Sequence, residues 1–360
     1  MNIIHVLPNL AKGGAEKVTI DLANKQNSQG HKVVLLFANA QHSQSNLMTL
    51  NKEIDTFHIS AKKTNLLLTY ICCAIWIIRH KRFLQTFDVV HTHLTFGLIF
   101  GTFLKILSFS KKSQNRKLVF TCHLVGMNVK KYLIIFTRLN SFFYDNFVLM
   151  AHDKYWDGMT AKSHKFVCVE NGIEPLEVNR SKNNTAVRIG SLGRLVKERK
   201  PELVIDLFSE IKKVIADTEF TIGGDGPLRT QLQDSLRGSG FELEVEFQGL
   251  IDSPSDFYSG LDFYITMNVG STSGISGLEA VSAGIPTLSI QLDPFYKNGE
   301  QDWIPSFSSS SLFVQHLQGL IESEETLTAM AKRQKATFEA HFTIDSMASK
   351  YQAIYSNQLF

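Results

Sequence analysis

Short apolar, β-branched runs alternate with amphipathic segments along nearly the whole chain. IIHVL (3–7), KVVLLFA (32–38), DVVHTHL (88–94), LVFTCHL (118–124), FVLMA (147–151) and KFVCVE (165–170) have the length and continuous hydrophobicity of buried strands. Between them AEKVTIDLANKQNSQG, the 65–85 segment and LTFGLIFGTFLKILSF carry helical periodicity. NRSKNNTA (179–186) is polar and aperiodic, as a linker is. The alternation then restarts, with strands in VRIGSLG, FTIGG, VEFQG, DFYITMN and TLSIQL. Helices are expected in PELVIDLFSEIKKVI, RTQLQDSLRGSG, SDFYSGL and inside VGSTSGISGLEAVSAGIP (269–286). Repeated βα units imply parallel sheets with crossover helices, here in two successive α/β, doubly wound domains. The last segment, TIDSMASKYQAIYSNQ, sets Met347, Tyr351 and Tyr355 on one apolar stripe that must pack on another element.

At 360 residues the chain exceeds one ordinary core and fits two domains. Charge divides the same way: residues 1–180 carry 22 Lys+Arg against 11 Asp+Glu, and residues 181–360 carry 15 against 23. A basic half suits nucleic acid, an acidic substrate or an anionic membrane face. No nucleic-acid recognition motif or aromatic-basic sheet signature accompanies it, so nucleic acid is not the expected partner. Cys72, Cys73, Cys122 and Cys168 lack metal-ligand spacing and read as reduced thiols of a cytosolic protein. The chain starts directly in strand-like NIIHVL rather than in a secretory signal. Its longest apolar run, LLLTYICCAIWII (66–78), has 13 residues, short of the roughly 18–20 that span a bilayer. A cytoplasmic protein is expected.

Doubly wound domains bind ligands at the carboxyl ends of their strands, so the residues just after strands carry the chemistry. After the first strand Gly13 and Gly14 open a helix, where backbone N–H groups can face an anion or a sugar, or simply form a turn. The pattern is not G-x-G-x-x-G, which disfavours a dinucleotide. His93 and His123 end two later strands of one sheet, the place for a proton or hydroxyl contact. SLGRLVKERKPEL sets Arg194, Lys197, Arg199 and Lys200 close together; Arg194, two residues past its strand, is placed to pair with a diphosphate. GGDGP (223–227) is turn chemistry. In VGSTSGISGLEAVSAGIP, three glycines and the hydroxyls of Ser271, Thr272, Ser273 and Ser276 precede a lone acid, Glu279. Taken alone, that stretch is equally an anion-binding helix start and an ordinary capped helix.

In order along the chain, GGAE, DVVHTH, TCH, VENGIE, GRLVKERKPEL, GGDGP, VEFQGL and GLEAVSAGIP resemble the GT-B glycosyltransferases of the retaining family 4, which includes many bacterial polysaccharide transferases. The resemblance implies two Rossmann-like domains facing a central cleft. Residues 1–178 would bind the acceptor and 187–340 the nucleotide sugar, with a C-terminal helix, 341–360, crossing back to the first domain. It implies a metal-independent hexosyl or N-acetylhexosaminyl transferase without cofactor, using a nucleotide sugar whose commonest base is uridine. Arg194 and Arg199 would face the diphosphate, with Arg199 standing where the family usually has lysine. Glu279 would hold the ribose. Ser273, Gly274, Ile275 and Ser276 would offer amides to the distal phosphate, and Gly249 and Leu250 would meet the base. His123 would sit near the donor sugar, and Gly13 and Gly14 beside the reacting centre. The family's paired glutamates lie eight residues apart; here the first position is Ser271, which supplies no negative charge to an oxocarbenium-like centre. The acceptor implied is a glycan on a polyprenyl diphosphate, in lipopolysaccharide or capsule synthesis at the inner face of the cytoplasmic membrane. Segment 62–82, an apolar helix with cationic ends, reads either as a buried Rossmann helix or as a contact with that membrane. Rival readings are a sugar-nucleotide epimerase or hydrolase of the same architecture, and a non-catalytic subunit.

Overall fold

A computed structural model describes residues 1–11, 13–60, 66–107, 116–123, 131–150, 165–179, 186–237, 240, 244–266, 274–290 and 303–358. The chain divides into two compact units: Met1–Val125, Val129–Gly172 and Ile344–Phe360 form the first, and Gly126–Asn128 with Ile173–Thr343 the second. The changeover falls between Gly172 and Ile173, ahead of the polar 179–186 segment, and again between Thr343 and Ile344.

In the first unit the strands are β1 (Asn2–Leu7), β2 (Lys32–Asn39), β3 (Asp55–Ser60), β4 (Val89–His93), β5 (Lys117–Cys122), β6 (Asn146–Leu149) and β7 (Phe166–Cys168). The helices are α1 (Gly14–Ser28), α2 (Gln44–Thr49), α3 (Leu66–Arg79), α4 (Lys81–Leu84), α5 (Leu94–Leu107) and α6 (Lys131–Ser141). All described pairings are parallel, in the order β3-β2-β1-β4-β5-β6-β7. The order reverses between β1 and β4, which opens a crevice at their carboxyl ends. Period-two alternation splits the core: Ile4, Val6, Val34 and Leu36 face one layer, and Leu7, Val33, Leu35 and Phe37 the other. His5 and His91 are register partners on β1 and β4.

The second unit contains β8 (Val187–Leu192), α7 (Glu202–Val214), β9 (Thr218–Gly223), α8 (Arg229–Leu236), β10 (Val245–Gly249), α9 (Pro254–Ser259) and β11 (Phe263–Thr266). It continues through α10 (Gly274–Ser282), β12 (Thr287–Ile290), β13 (Ser306–Phe307), α11 (Ser310–Glu322) and α12 (Glu324–His341). Its parallel sheet runs β10-β9-β8-β11-β12-β13 and reverses between β8 and β11. The last helix, α13 (Ile344–Tyr355), belongs to the first unit. It packs on α1, with Lys25 of α1 paired to Asp345, and it buries the Met347, Tyr351 and Tyr355 stripe.

Two expectations change. The 65–85 segment is not one helix; it breaks at His80, whose ring turns back to the Trp76 carbonyl at 2.9 Å. Nor is it simply a buried helix. Cys73, Trp76 and Ile77 of α3 enter the core, while Leu68, Ile71, Ile75 and Ile78 stay exposed, Ile78 at 61%.

Candidate functional site

In the second unit the chain leaves β8 through Gly193 and Arg194, and Leu195, fully buried, anchors the turn. The GGDGP loop clamps this turn by backbone bonds: Gly193 N–H to the Gly223 carbonyl at 3.1 Å, Leu195 N–H to Asp225 at 3.0 Å, and Leu228 N–H to Leu195 at 3.1 Å. Gly224 has a φ of +106°, and a Cβ there would lie 2.0 Å from the Gly193 carbonyl oxygen, so only glycine permits the approach. Gly224 also donates to the carbonyl of Gly249, itself at a φ of +73°. Three strand ends are thereby stitched together. Arg194 is exposed and Leu250 is exposed beside the buried Gly249.

Opposite, across the β8/β11 reversal, α10 begins at Gly274, with a φ of +66°. The Ser276 hydroxyl donates to the Leu192 carbonyl at 3.0 Å, and Tyr264 donates to the same carbonyl at 3.1 Å. Ser276 is therefore committed by its side chain to the end of β8, and its carbonyl accepts from Tyr258. Ile275 packs on the Ile173–Trp303–Phe342 cluster and offers backbone alone. Glu279 is buried, with Tyr258 donating to its Oε2 at 3.2 Å and to the Ser276 carbonyl at 2.8 Å. Burial raises the Tyr258 phenol well above its ordinary range and pushes Tyr264 up to about 12. Arg199, partly buried in the turn before α7, has its pKa lowered by burial and then by the neighbouring Arg194 guanidinium. Two guanidiniums close enough for one to lower the pKa of the other thus lie in the turns after β8, while α10 starts after β11, the neighbouring strand at the reversal. Ser271 and Ser273 lie outside the described residues.

The first unit brings its predicted residues to the carboxyl edge of its sheet. Gly13, extended at a φ of −160°, precedes α1, and Gly14 is the first residue of that helix. The turn ahead of them is held by Leu10, whose N–H donates to His42 Nδ1 at 3.1 Å. β4 ends at His93 and turns at once into α5 through Leu94, at a φ of +59°, a rare conformation for a side chain of that size. His123 follows β5 directly, and its Nε2 meets His93 Nδ1 at 3.2 Å.

Behind them lie residues that strand-end reasoning does not reach. His93 Nε2 is 3.0 Å from His5 Nδ1; His5 Nε2 is 2.8 Å from Gln26 Oε1; Gln26 Nε2 donates to Tyr355 at 3.3 Å. Tyr355 lies 2.7 Å from His91 Nδ1, His91 Nε2 is 2.7 Å from Thr121 Oγ1, and Thr121 is 2.8 Å from the Tyr351 hydroxyl. Period-two spacing of His91 and His93, in register with His5, is the sequence signal for the shared face. Ring nitrogens of His5, His91 and His93 lie within 4.8 Å of one another, a donor set that suits a divalent cation. All six of those nitrogens already have hydrogen-bond partners, however, and a cation would displace several.

Two family models cover most of the chain: Glycosyltransferase Family 4 matches residues 12–174, and Glycosyl transferases group 1 matches residues 174–337. The chain is 22% identical over 232 residues to the O-antigen biosynthesis glycosyltransferase WclY of Escherichia coli, a match covering 60% of this chain and 62% of that relative. It is 28% identical over 101 residues to the alpha-monoglucosyldiacylglycerol synthase of Streptococcus pneumoniae, covering 27% of this chain and 23% of the relative. Among solved structures, Anabaena Alr3699/HepE in complex with UDP-glucose superposes with a TM-score of 0.77 at 14% identity, over 99% of this chain and 100% of that one. The lipopolysaccharide outer core galactosyltransferase WaaB, in apo form, gives 0.70 at 16% identity, with each chain covered completely.

Proposed function

We infer the activity from the premise that this chain belongs to the GT-B glycosyltransferases of group 1 and family 4, whose two models together run from residue 12 to 337. The reading is a retaining transferase that moves a hexosyl or N-acetylhexosaminyl group from a UDP-sugar to a lipid-diphosphate-linked glycan, without metal, in cell-surface polysaccharide synthesis. One observation carries it: Arg194 follows β8 at the switch point of the second sheet and is near enough to Arg199 to lower its pKa, and α10 follows β11, the strand across that switch point. WclY, named for O-antigen biosynthesis, supports the polysaccharide setting by likeness, and HepE, bound to UDP-glucose, supports the choice of nucleotide.

When the sugar–phosphate bond breaks, negative charge grows on the diphosphate while positive character develops at the anomeric carbon. Arg194, Arg199 and the amides of Gly274, Ile275 and Ser276 stabilise the leaving group. Glu279 accepts from the ribose hydroxyls, its carboxylate aimed by Tyr258. The backbone at Gly249 and Leu250 meets the base, and Gly13, Gly14 and His123 serve the donor sugar. The departing phosphate takes the acceptor hydroxyl's proton, so no protein nucleophile is needed. The test is a panel of sugar nucleotides, followed for nucleoside diphosphate release with and without a membrane lipid extract. Release that requires the extract supports transfer; release that does not favours a hydrolase, and none at all a non-catalytic subunit.

UDP at about 100 times its Kd is expected to stabilise the protein by about 2.7 kcal/mol. Glu279→Ala should weaken UDP binding strongly, and Glu279→Gln, which can still accept from Tyr258, less so. Equal affinity in wild type and Glu279→Ala, measured by calorimetry, removes the ribose assignment.

Membrane contact falls to α3. Leu68, Ile71, Ile75 and Ile78 form an exposed stripe at helical spacing, ending at Arg79, in the basic half of the chain. No helix among the described residues is long and apolar enough to cross a bilayer. Arg116 and Lys117, two further cations of the basic half, are unsuited to lipid: Arg116 donates to the Leu84 carbonyl at 2.8 Å, and buried Lys117 is bonded to Ile354 and Asn357 at the end of α13. Flotation with anionic liposomes at low salt should carry wild type upward, less so at high salt, and Ile71→Ser/Ile75→Ser/Ile78→Ser should stay below. A wild type that remains in the soluble fraction removes the membrane reading.

A further inference from the structure

We propose that the file of hydrogen bonds running from His123 through His93, His5 and Gln26 to Tyr355 fixes the tautomer of His123, which makes Gln26 and Tyr355 positioning residues for the donor-sugar step. The role given to the step rests on the reading of His123 above; the tautomer itself does not.

Proton bookkeeping along the file leaves one arrangement for the amide orientation present. Gln26 Oε1 can only accept, so His5 carries its proton on Nε2 and offers a bare Nδ1. His93, 3.0 Å away, must then donate from Nε2 and offer a bare Nδ1. His123, at 3.2 Å, must donate from Nε2 in its turn. Its Nδ1, which has no partner among the described residues, is left as an acceptor suited to a sugar hydroxyl.

Neutral rings are required for this logic, since an imidazolium donates from both nitrogens. His5 and His93 are 0% and 2% exposed, and burial holds His5 and His123 down at about 4 and lowers His93 strongly. The far end is anchored too. Gln26 Nε2 donates to the Tyr355 hydroxyl, leaving that proton for His91 Nδ1. His91 Nε2–H then serves Thr121, and the Thr121 hydroxyl serves Tyr351. Eight groups point one way, and bonds in such a chain strengthen one another. Two of them, Tyr351 and Tyr355, come from the last helix, so residues more than two hundred positions after His123 help set which of its nitrogens holds the proton.

Long-range proton–nitrogen correlation spectra of histidine rings read tautomers directly and need no turnover. Wild-type His123 is expected as a single tautomer, protonated at Nε2. Gln26→Met, similar in volume but without acceptor or donor, should give a mixture of tautomers at His93 and His123. Tyr355→Phe, which removes one oxygen and keeps the ring's packing, is the second variant and should do the same more weakly. With a working donor, kcat in Gln26→Met is expected to fall about tenfold to a hundredfold, as for other residues supporting a functional side chain, with UDP affinity unchanged. His123 protonated at Nδ1 in wild type, or an unaltered tautomer in both variants, overturns the proposal. So does tight uptake of added zinc with all of His5, His91 and His93 shifting, which would make the cluster a metal centre. A wild type with the expected tautomer but no turnover upholds the relay and counts only against the transferase reading.

Discussion

Turnover of Arg194→Ala is expected to fall by about 10²–10³, the loss typical of removing one donor from a developing anion. The leaving diphosphate gains charge as the sugar departs, and charge-assisted hydrogen bonds to it contribute roughly 1.5–3 kcal/mol each. Arg194 is exposed, while its turn is held by buried Leu195 and by backbone bonds to the GGDGP loop. The substitution should therefore leave the thermal midpoint close to wild type, which separates a rate effect from a folding effect. Ser271→Ala removes one neutral hydrogen bond at most, about 0.5–1.5 kcal/mol and near tenfold in rate. Both variants are compared with the best donor from the panel. Equal, severe losses would mean that Ser271 has taken an essential role in place of the family's glutamate. An Arg194→Ala enzyme as fast as wild type would remove the diphosphate assignment.

Acidification from pH 6.5 toward 4 is expected to destabilise the first unit steeply. His5, His91, His93 and His123 are all held neutral by burial, with His5 and His123 brought down to about 4. Above the unfolded-state value near 6.5, neither state binds these protons and stability is complete. As pH falls through 6.5 the unfolded chain takes them up first, so stability is lost progressively until the folded values are reached. Each histidine contributes about 1.4 kcal/mol per pH unit across that window. His42 and His58, joined Nε2 to Nε2 at 2.7 Å and both lowered, act in the same direction. Urea midpoints at pH 7.5, 6.0 and 5.0 give the slope, and a flat profile over that range contradicts neutral, buried rings.

Periodicity and turn chemistry in the chain itself determine two parallel, doubly wound units, because continuous apolar runs such as IIHVL and KVVLLFA can only be buried on both faces. They also place His93, His123 and Arg194 beside strand ends, and Glu279 in the helix that the glycine- and serine-rich stretch opens, since the side-chain chemistry there departs from the core pattern. β3 is not legible in this way: DTFHIS is an edge strand with a mostly exposed pattern, defined by pairing to β2 rather than by hydrophobicity. Ser276 looks like a phosphate ligand in sequence, and only the fold shows its hydroxyl spent on Leu192. The apolar stretch 66–78 admits either burial or a lipid face until packing shows which residues of α3 the core takes. His5, Gln26, His91 and Tyr355 carry no local signal as a group, because Gln26 and Tyr355 meet 329 positions apart. Local sequence sets backbone conformation and the polarity of each face; which polar groups share a buried space depends on long-range strand order and on where the last helix returns. That is why the sheets and strand-end candidates follow from the chain, and the histidine file only from its folding.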